Sequence, residues 1–346
     1  MGGSEPTTLV IVVPLLMIAP AAPADWPAAL DLLFQHLPPD VRRQRCVSTQ
    51  TLLETGELLP AGLRIARHDG RIAAVLICLP LKGNSALFWP PQVAPDCDPV
   101  AVLDPLIRHT LDWLQSLDTK LAQAFVATVE LPLVAPLLRC GFRHITQLDY
   151  FHHDLSSIRG TGFLARPADS PGNSHDITEG LRMDGLGSPS HEIECYQPAN
   201  QQLFHDTLLR SYEGGLDCPE LNGRRSIEEI VEGHQHQGAF RPEWWWLARA
   251  QGQPVGVVIL SEVPGWQGWE LSYVGVVPEA RRQGIGAALT LRALDAVRQT
   301  RAHQLSVAVD ARNQPARQLY EKLGFVHDER REVLLFFFAD LAEDTG

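Results

Sequence analysis

Val274-Gly275-Val276-Val277-Pro278-Glu279-Ala280-Arg281-Arg282-Gln283-Gly284-Ile285-Gly286-Ala287 is the stretch that decides how this 346-residue chain reads. Its valines predict a strand, Pro278 ends it, and the glycines open a helix. Such a strand–turn–helix points consecutive main-chain N–H groups at one place, at the positive end of a helix, where a pyrophosphate can sit. A side chain at Gly284 or Gly286 would keep phosphates away from the backbone. The turn alone also fits a blander description, a helix N-terminus with small residues for close packing.

The neighbouring sequence narrows the choice. Upstream, the patterns predict a short strand at His191–Gln197, a helix at Asn200–Arg210 and another near Ser226–Glu232. A hairpin of Trp245–Ala250 and Val255–Leu260 follows, then a long strand, Trp269–Val277. Downstream, Ala287, Leu291 and Leu294 mark a helix over Ile285–Thr300, and Leu305, Val307 and Val309 alternate as a strand does. Asp310-Ala311-Arg312-Asn313 leads to a helix begun by Pro315 and ended by Gly324, which carries Leu319-Tyr320-Glu321-Lys322-Leu323-Gly324-Phe325. A last strand is expected at Val333–Phe338. The fold class is α/β, a mixed layer fold.

Taken together, these motifs resemble the GNAT superfamily of acetyl-CoA-dependent N-acyltransferases, in motif over about Trp244–Phe338 and in element order from His191. The resemblance implies a mixed, mainly antiparallel sheet flanked by helices. It also implies that Arg281, Arg282, Gln283, Gly284, Ile285, Gly286 and Ala287 form the acetyl-CoA pyrophosphate turn. Val274 and Val276 would pair with the pantetheine through their main chains, and Asn313 would contact the cofactor arm. Tyr320 stands where many members carry the acid that protonates the departing thiolate; a helix aromatic packed on the sheet is the other reading. Glu270 matches the general base of one branch, and equally fits a solvated edge residue; Asp310 is a second-choice base. Direct transfer in the family needs no covalent intermediate, so the cysteines need no catalytic part.

The chain also repeats itself. Pro95 matches Pro278, Pro132 matches Pro315 and Gly141-Phe142 matches Gly324-Phe325, all at an offset of 183. Ile65-Ala66-Arg67-His68-Asp69-Gly70 matches Leu247-Ala248-Arg249-Ala250-Gln251-Gly252 one residue closer. A period this long means two copies of one domain. The expected division is a first copy at 8–155, a Gly/Ser/Pro/Asp-rich linker at 156–189 and a catalytic domain at 190–346. In the first copy, Asp98, Ala101 and Leu103 replace Arg281, Gly284 and Gly286, while Leu137, Glu130 and Leu87 replace Tyr320, Asn313 and Glu270. Carboxylates in the turn would repel a pyrophosphate. The first copy is expected to be degenerate and without the acyl-CoA motif.

Composition excludes some classes. A net charge of −12 argues against a nucleic-acid partner. The six cysteines are widely spaced and the histidines scattered, so no metal site is expected and a reduced, cytoplasmic protein is the default. Leu9–Ala22 is apolar and followed by Ala22-Pro23-Ala24, yet no Lys or Arg precedes Arg42, and Pro14 and Pro20 interrupt it. A first strand at Leu9–Val13 fits that run better than a signal peptide or a membrane span. The expected activity is transfer of an acetyl group from acetyl-CoA to a small-molecule or peptide amine, the alternative a non-catalytic acyl-CoA sensor or scaffold. The resemblance also implies an acceptor region at Tyr212, Asp217-Cys218-Pro219-Glu220, Arg224-Arg225 and Gly233-His234, a polar stretch that fits a solvated loop equally well. Of Trp244-Trp245-Trp246, most of the aromatic surface is expected in the core.

Overall fold

A computed structural model describes residues 16–155, 192–263 and 268–340. The expected strand Leu9–Val13 and the expected linker 156–189 lie outside the described residues. Among the described residues, no helix is long and apolar enough to cross a membrane. The chain divides into two compact units, one made of residues 1–144 and 332–346, the other of 145–331.

The first unit runs β1 (Met17–Pro20), α1 (Trp26–Leu33), α2 (Pro39–Thr55), β2 (Leu63–His68), β3 (Arg71–Leu81), β4 (Ser85–Phe88), β5 (Gln92–Val93), α3 (Pro99–Gln115), β6 (Leu121–Ala127) and α4 (Ala135–Arg139). Next comes β7 (Arg143–Asp154), of which residues 145–154 belong to the second unit. That unit continues with β8 (Glu192–Cys195), α5 (Gln201–Ser211), α6 (Ile227–Gln235), β9 (Trp245–Ala250), β10 (Gln253–Val263), β11 (Gly268–Val276), α7 (Ile285–Arg298), β12 (Gln304–Asp310) and α8 (Gln314–Lys322). The last strand, β13 (Val326–Phe337), gives residues 326–331 to the second unit and 332–337 to the first.

Within the first unit the strand order is β1-β2-β3-β4-β6-β13; within the second it is β7-β12-β11-β10-β9-β8. Only β4·β6 and β11·β12 are parallel among the described pairings. The register repeats from unit to unit. Leu63 pairs with Ile77 as Trp245 pairs with Ile259, and Leu79 with Leu87 as Ser261 with Glu270. Ser85 lies beside Leu121 as Gly268 lies beside Gln304. Even the irregularity opposite Ala66/Arg67 returns at Pro254/Gly256. The repeat is therefore a duplicated fold. One exchange breaks its simple order: β7, from the first copy, pairs along β12 from Asp154↔Gln304 to Leu148↔Asp310.

In the second unit β10 is buried on both faces, as its apolar run demands. Val258 and Leu260 enter the core under α7, Val257 and Ile259 the core under α5 and α6. Trp245 and Trp246 divide the same way and are almost fully buried, while Trp244 stacks on Trp269 with ring centroids 4.1 Å apart. Each fully buried large side chain contributes roughly 1.5–3 kcal/mol. β13 starts well before the expected Val333. Its charged first half is ordered by Asp149 of β7, fully buried, which accepts from Arg330 (2.6 and 2.9 Å) and meets His327 and Arg317. Ion pairing, invisible to hydrophobic periodicity, extends that strand.

Candidate active site

The site begins where two neighbouring strands part. β11 and β12 pair only at Gly268↔Gln304, Trp269↔Leu305 and Glu270↔Ser306, although β11 continues to Val276 and β12 to Asp310. β10 explains the departure: Ile259 pairs with Tyr273 and Leu260 with Leu271, so Ser272 is an extra residue in β11. A bulge of this kind bends its strand and increases local twist. Beyond Glu270, the edge of β11 that would face β12 is left open.

Val277 N donates to Val255 O of β10. Alternation then turns the main-chain groups of Val274 and Val276 away from β10, toward the opening. Their side chains pack against the core under α7. The Val276 carbonyl already accepts from Arg281 Nε at 3.1 Å. Gly275 between them has no room for a Cβ, which would stand 2.4 Å from Ser211 Oγ.

The turn after β11 is held from one side. Arg281 spends its guanidinium on main-chain carbonyls: Val276, Gly214 (3.1 Å), Ser211 (3.2 Å) and Glu213. Its amide donates to Pro278. Arg281 thus fastens the turn to the chain after α5, and has little left for an anion beyond its charge. Arg282 (φ +65°) and Gly284 (φ +83°) both take the left-handed conformation. Alternating hands of this kind bring successive N–H groups onto one concave side. No side chain caps α7 at Gly284, so the first amides of the helix have no partner of that kind. Ile285 is buried in the core; Arg282 and Gln283 are exposed. At Gly286 an added Cβ would make only ordinary contacts, 3.6 Å to Leu319 and 3.9 Å to Val276. Packing does not require that glycine; a ligand close to the backbone would.

Glu270 is half-buried on β11, on the face opposite Trp269 and Leu271, and burial pushes its carboxyl above the ordinary 4.5. It is not a solvated edge residue, because β10 and β12 flank it. Tyr320 on α8 is 3% exposed, packed on Phe151 and Phe325, and burial raises its phenol further above neutrality. It is a core aromatic whose phenol keeps its proton at neutral pH. Asn313 caps α8, accepting from Ala316 N at 3.3 Å. Asp310 is fully buried and committed: it accepts from Thr146 (2.8 Å), Cys218 N (3.1 Å) and Arg312. Burial raises its pKa, but these bonds outweigh that and hold it low. A saturated carboxylate makes a poor base.

The chain after α5 is tied to the same place. Asp217 Oδ1 accepts from Asp310 N at 2.7 Å, and Arg312 grips Glu220 with two bonds of 2.7 and 3.0 Å. Tyr212, half-buried, stacks edge-on against Tyr273 of β11, whose hydroxyl meets Ser211 Oγ at 2.7 Å. His234 of α6 lies against Tyr273 and Trp245, and burial lowers its pKa to about 4, so it is neutral at physiological pH. Sequence pattern marked this region only as polar. Tyr150 of β7, whose pKa burial pushes up to about 12 and the Glu270 charge raises too, was not foreseen because it lies outside the second copy. No group of three potential metal ligands occurs among the described residues.

The corresponding places in the first unit are filled by its own side chains. Asp98 caps α3, accepting from Val100 N at 3.0 Å. Leu103 and Leu137 are core residues. Glu130 accepts from Ala127 N and faces His36 at 3.7 Å, and His36 bonds Gln92. Trp89-Pro90-Pro91 interrupts the strand between β4 and β5 where the second unit has Ser272, Tyr273 and Val274. Pro91, at the Val274 position, has no N–H to offer.

Residues 212–325 match the model of the acetyltransferase (GNAT) family. A mycothiol acetyltransferase of Thermobispora bispora is 30% identical over 176 residues, 49% of this chain and 55% of that protein. One of Beutenbergia cavernae is 29% identical over 206 residues, 58% of this chain and 63% of its own length. The chain thus spans little more than half the length of these relatives. Among solved structures, a GCN5-related N-acetyltransferase from Sphaerobacter thermophilus superposes with a TM-score of 0.58 at 16% identity, covering 93% of this chain and 95% of that one. That likeness is one of fold.

Proposed function

From a chain that carries a GNAT domain in its C-terminal half and the same fold a second time, we propose an acetyl-CoA-dependent N-acetyltransferase with one working site, in the second unit. The observation that carries the reading is the fork. Strand pairing ends at Glu270, and the open edge of β11 leads to an uncapped helix end. The residues fit the co-substrate: amides from Arg282 to Ala287 for the pyrophosphate, the Val274 and Val276 main chain for the pantetheine, Asn313 beside its arm. Acetyl-CoA supplies the activated acyl group as a thioester.

Glu270 takes a proton from the acceptor amine, directly or through one water, and its raised pKa suits that task. The nitrogen lone pair then attacks the thioester carbonyl; an N–C bond forms as the C–S bond breaks. Tyr320 gives its proton to the departing sulfur, and both residues re-equilibrate with solvent. Holding both substrates in one fork supplies much of the rate. The name shared by the relatives makes the acceptor of mycothiol acetyltransferases the first amine to try. With a verified acceptor and free thiol as readout, Glu270→Gln and Tyr320→Phe should each lower kcat by roughly 10²–10⁴. If neither changes kcat tenfold, these roles are wrong.

A further inference from the structure

The two faces of β11 serve different ends. Glu270 points away from α7, while Trp269 and Leu271 enter the core beneath it. On the α7 side, where β11 begins, lies a cavity of about 310 Å³. Part of its wall is aromatic: Trp269 and Trp244, just before β9, with ring centroids 4.1 Å apart. Trp269 is buried, whereas Trp244 is half-buried and lends ring surface to the cavity. Glu262 of β10 pairs with Trp269 and so shares its face; it stands at one edge, with the Arg241 guanidinium 3.5 Å away. Residues 300–302, which join α7 to β12, close the other side.

The charges around this cavity do not cancel. Arg241 answers Glu262. Thr300 spends its hydroxyl inside the turn, donating to Val297 O at 2.7 Å and accepting from Ala302 N at 3.0 Å. Arg301, exposed at the rim, has neither an ion pair nor a hydrogen bond among the described residues. An arginine after a helix C-terminus also complements the helix dipole, but that role asks for no aromatic wall beside it. Nor does the fold ask for these residues. The first unit has Gly62, Ala86 and Asp118 at the places of Trp244, Trp269 and Arg301. A Cβ at Gly62 would stand 2.0 Å from Cys78 O, so that copy has no room for the first ring.

We propose that this cavity is a second small-molecule site of the unit, one that takes an aromatic carboxylate, its ring against Trp244 and its carboxylate on Arg301. Flat ring surface and an unanswered guanidinium together suit a ligand that is apolar at one end and anionic at the other. The volume stands at the lower end of the range for small-molecule sites, about 300–1,000 Å³, so the ligand is small. The sheet separates this cavity from Glu270 and the fork, so its ligand is neither the acceptor nor the acyl donor. The inference goes beyond the acetyltransferase reading and does not depend on it.

The test is isothermal titration of the full chain with 2-naphthoate, its uncharged isostere 2-naphthamide, the cation 2-naphthylmethylamine and acetate. Naphthoate should bind with a Kd below about 1 mM, the amide and the amine at least about tenfold more weakly, and acetate, which lacks the ring, without measurable heat. Arg301→Gln removes a charge from an exposed position, so the melting temperature should hold while naphthoate affinity falls about ten- to hundredfold. Arg298→Gln, at the same end of α7 but outside the cavity lining, should keep that affinity within about twofold. Excess acetyl-CoA should leave naphthoate binding unchanged. No heat with naphthoate up to about 5 mM, an amide or amine that binds as tightly, an Arg301→Gln variant with wild-type affinity, or displacement by acetyl-CoA each overturns the inference. None of these results bears on the roles given to Glu270 and Tyr320.

Discussion

Gly286→Ala separates the stability of α7 from its use. Gly286 lies in the first turn of the helix with a helical backbone, and the added methyl would meet Leu319 at 3.6 Å and Val276 at 3.9 Å. Both are ordinary van der Waals distances, so nothing must move. Alanine in a helix is favoured over glycine by about 0.5–1 kcal/mol, which should leave the melting temperature unchanged or raise it by roughly 2–4 °C. The same methyl lies where a phosphate would approach the amides, and losing one charge-assisted bond there costs about 1.5–3 kcal/mol. Acetyl-CoA should therefore bind about ten- to hundredfold more weakly to a protein at least as stable. Differential scanning calorimetry and isothermal titration would report the two effects separately. A variant that melts lower, or binds acetyl-CoA within threefold of wild type, refutes the argument that a ligand, not packing, selects this glycine.

The filled phosphate position at Asp98 predicts one acetyl-CoA per chain by titration; two would mean the first unit binds as well. The acid limb of kcat should inflect above 4.5, because burial raises Glu270, and should vanish in a Glu270→Gln variant assayed for residual transfer. The same shift has a stability sign: the folded chain holds that proton more tightly, so its contribution falls as pH rises from 4.5 through the raised value, visible as a pH-dependent urea midpoint that Gln removes. Asp149 behaves oppositely. Burial alone would raise its pKa, but Arg330, His327 and Arg317 hold it below 3.8, so the stability it provides is present above 3.8 and is lost as pH falls through the folded value. Asp149→Asn should cost about 3–5 kcal/mol near neutral pH, and the gap to wild type in urea unfolding should narrow in acid; a constant gap would deny the ion pairs their role.

The duplicated fold was legible because its landmarks, Pro278, Gly324-Phe325 and the Asp69-Gly70 type of turn, are residues whose backbone needs are written in their identity. Glycine and proline declare φ; side-chain partners are not declared in this way. Arg281 therefore reads as a phosphate contact, while the fold uses it to gather carbonyls after α5. The bulge at Ser272 leaves no mark in hydrophobic alternation, since both neighbours can satisfy a half-buried strand, and so the fork could not be seen. Trp89-Pro90-Pro91 does declare in sequence the loss of a main-chain donor at the Val274 position, because proline has no N–H. Tyr150 could not be assigned to the site, because its strand belongs in sequence to the other copy.

The exchange of final strands sets a timetable for synthesis. β6 of the first unit takes β13 as its neighbour, and Leu334, Phe336 and Phe338 enter the first unit's core. A chain emerging from the ribosome ordinarily finishes its N-terminal domain first. Here that domain waits, with β6 paired to β4 on one edge alone, until the last residues of β13 are released. The second unit holds β7 long before it needs it, so the half proposed to hold the working site can close first, and the older segment of chain is completed last.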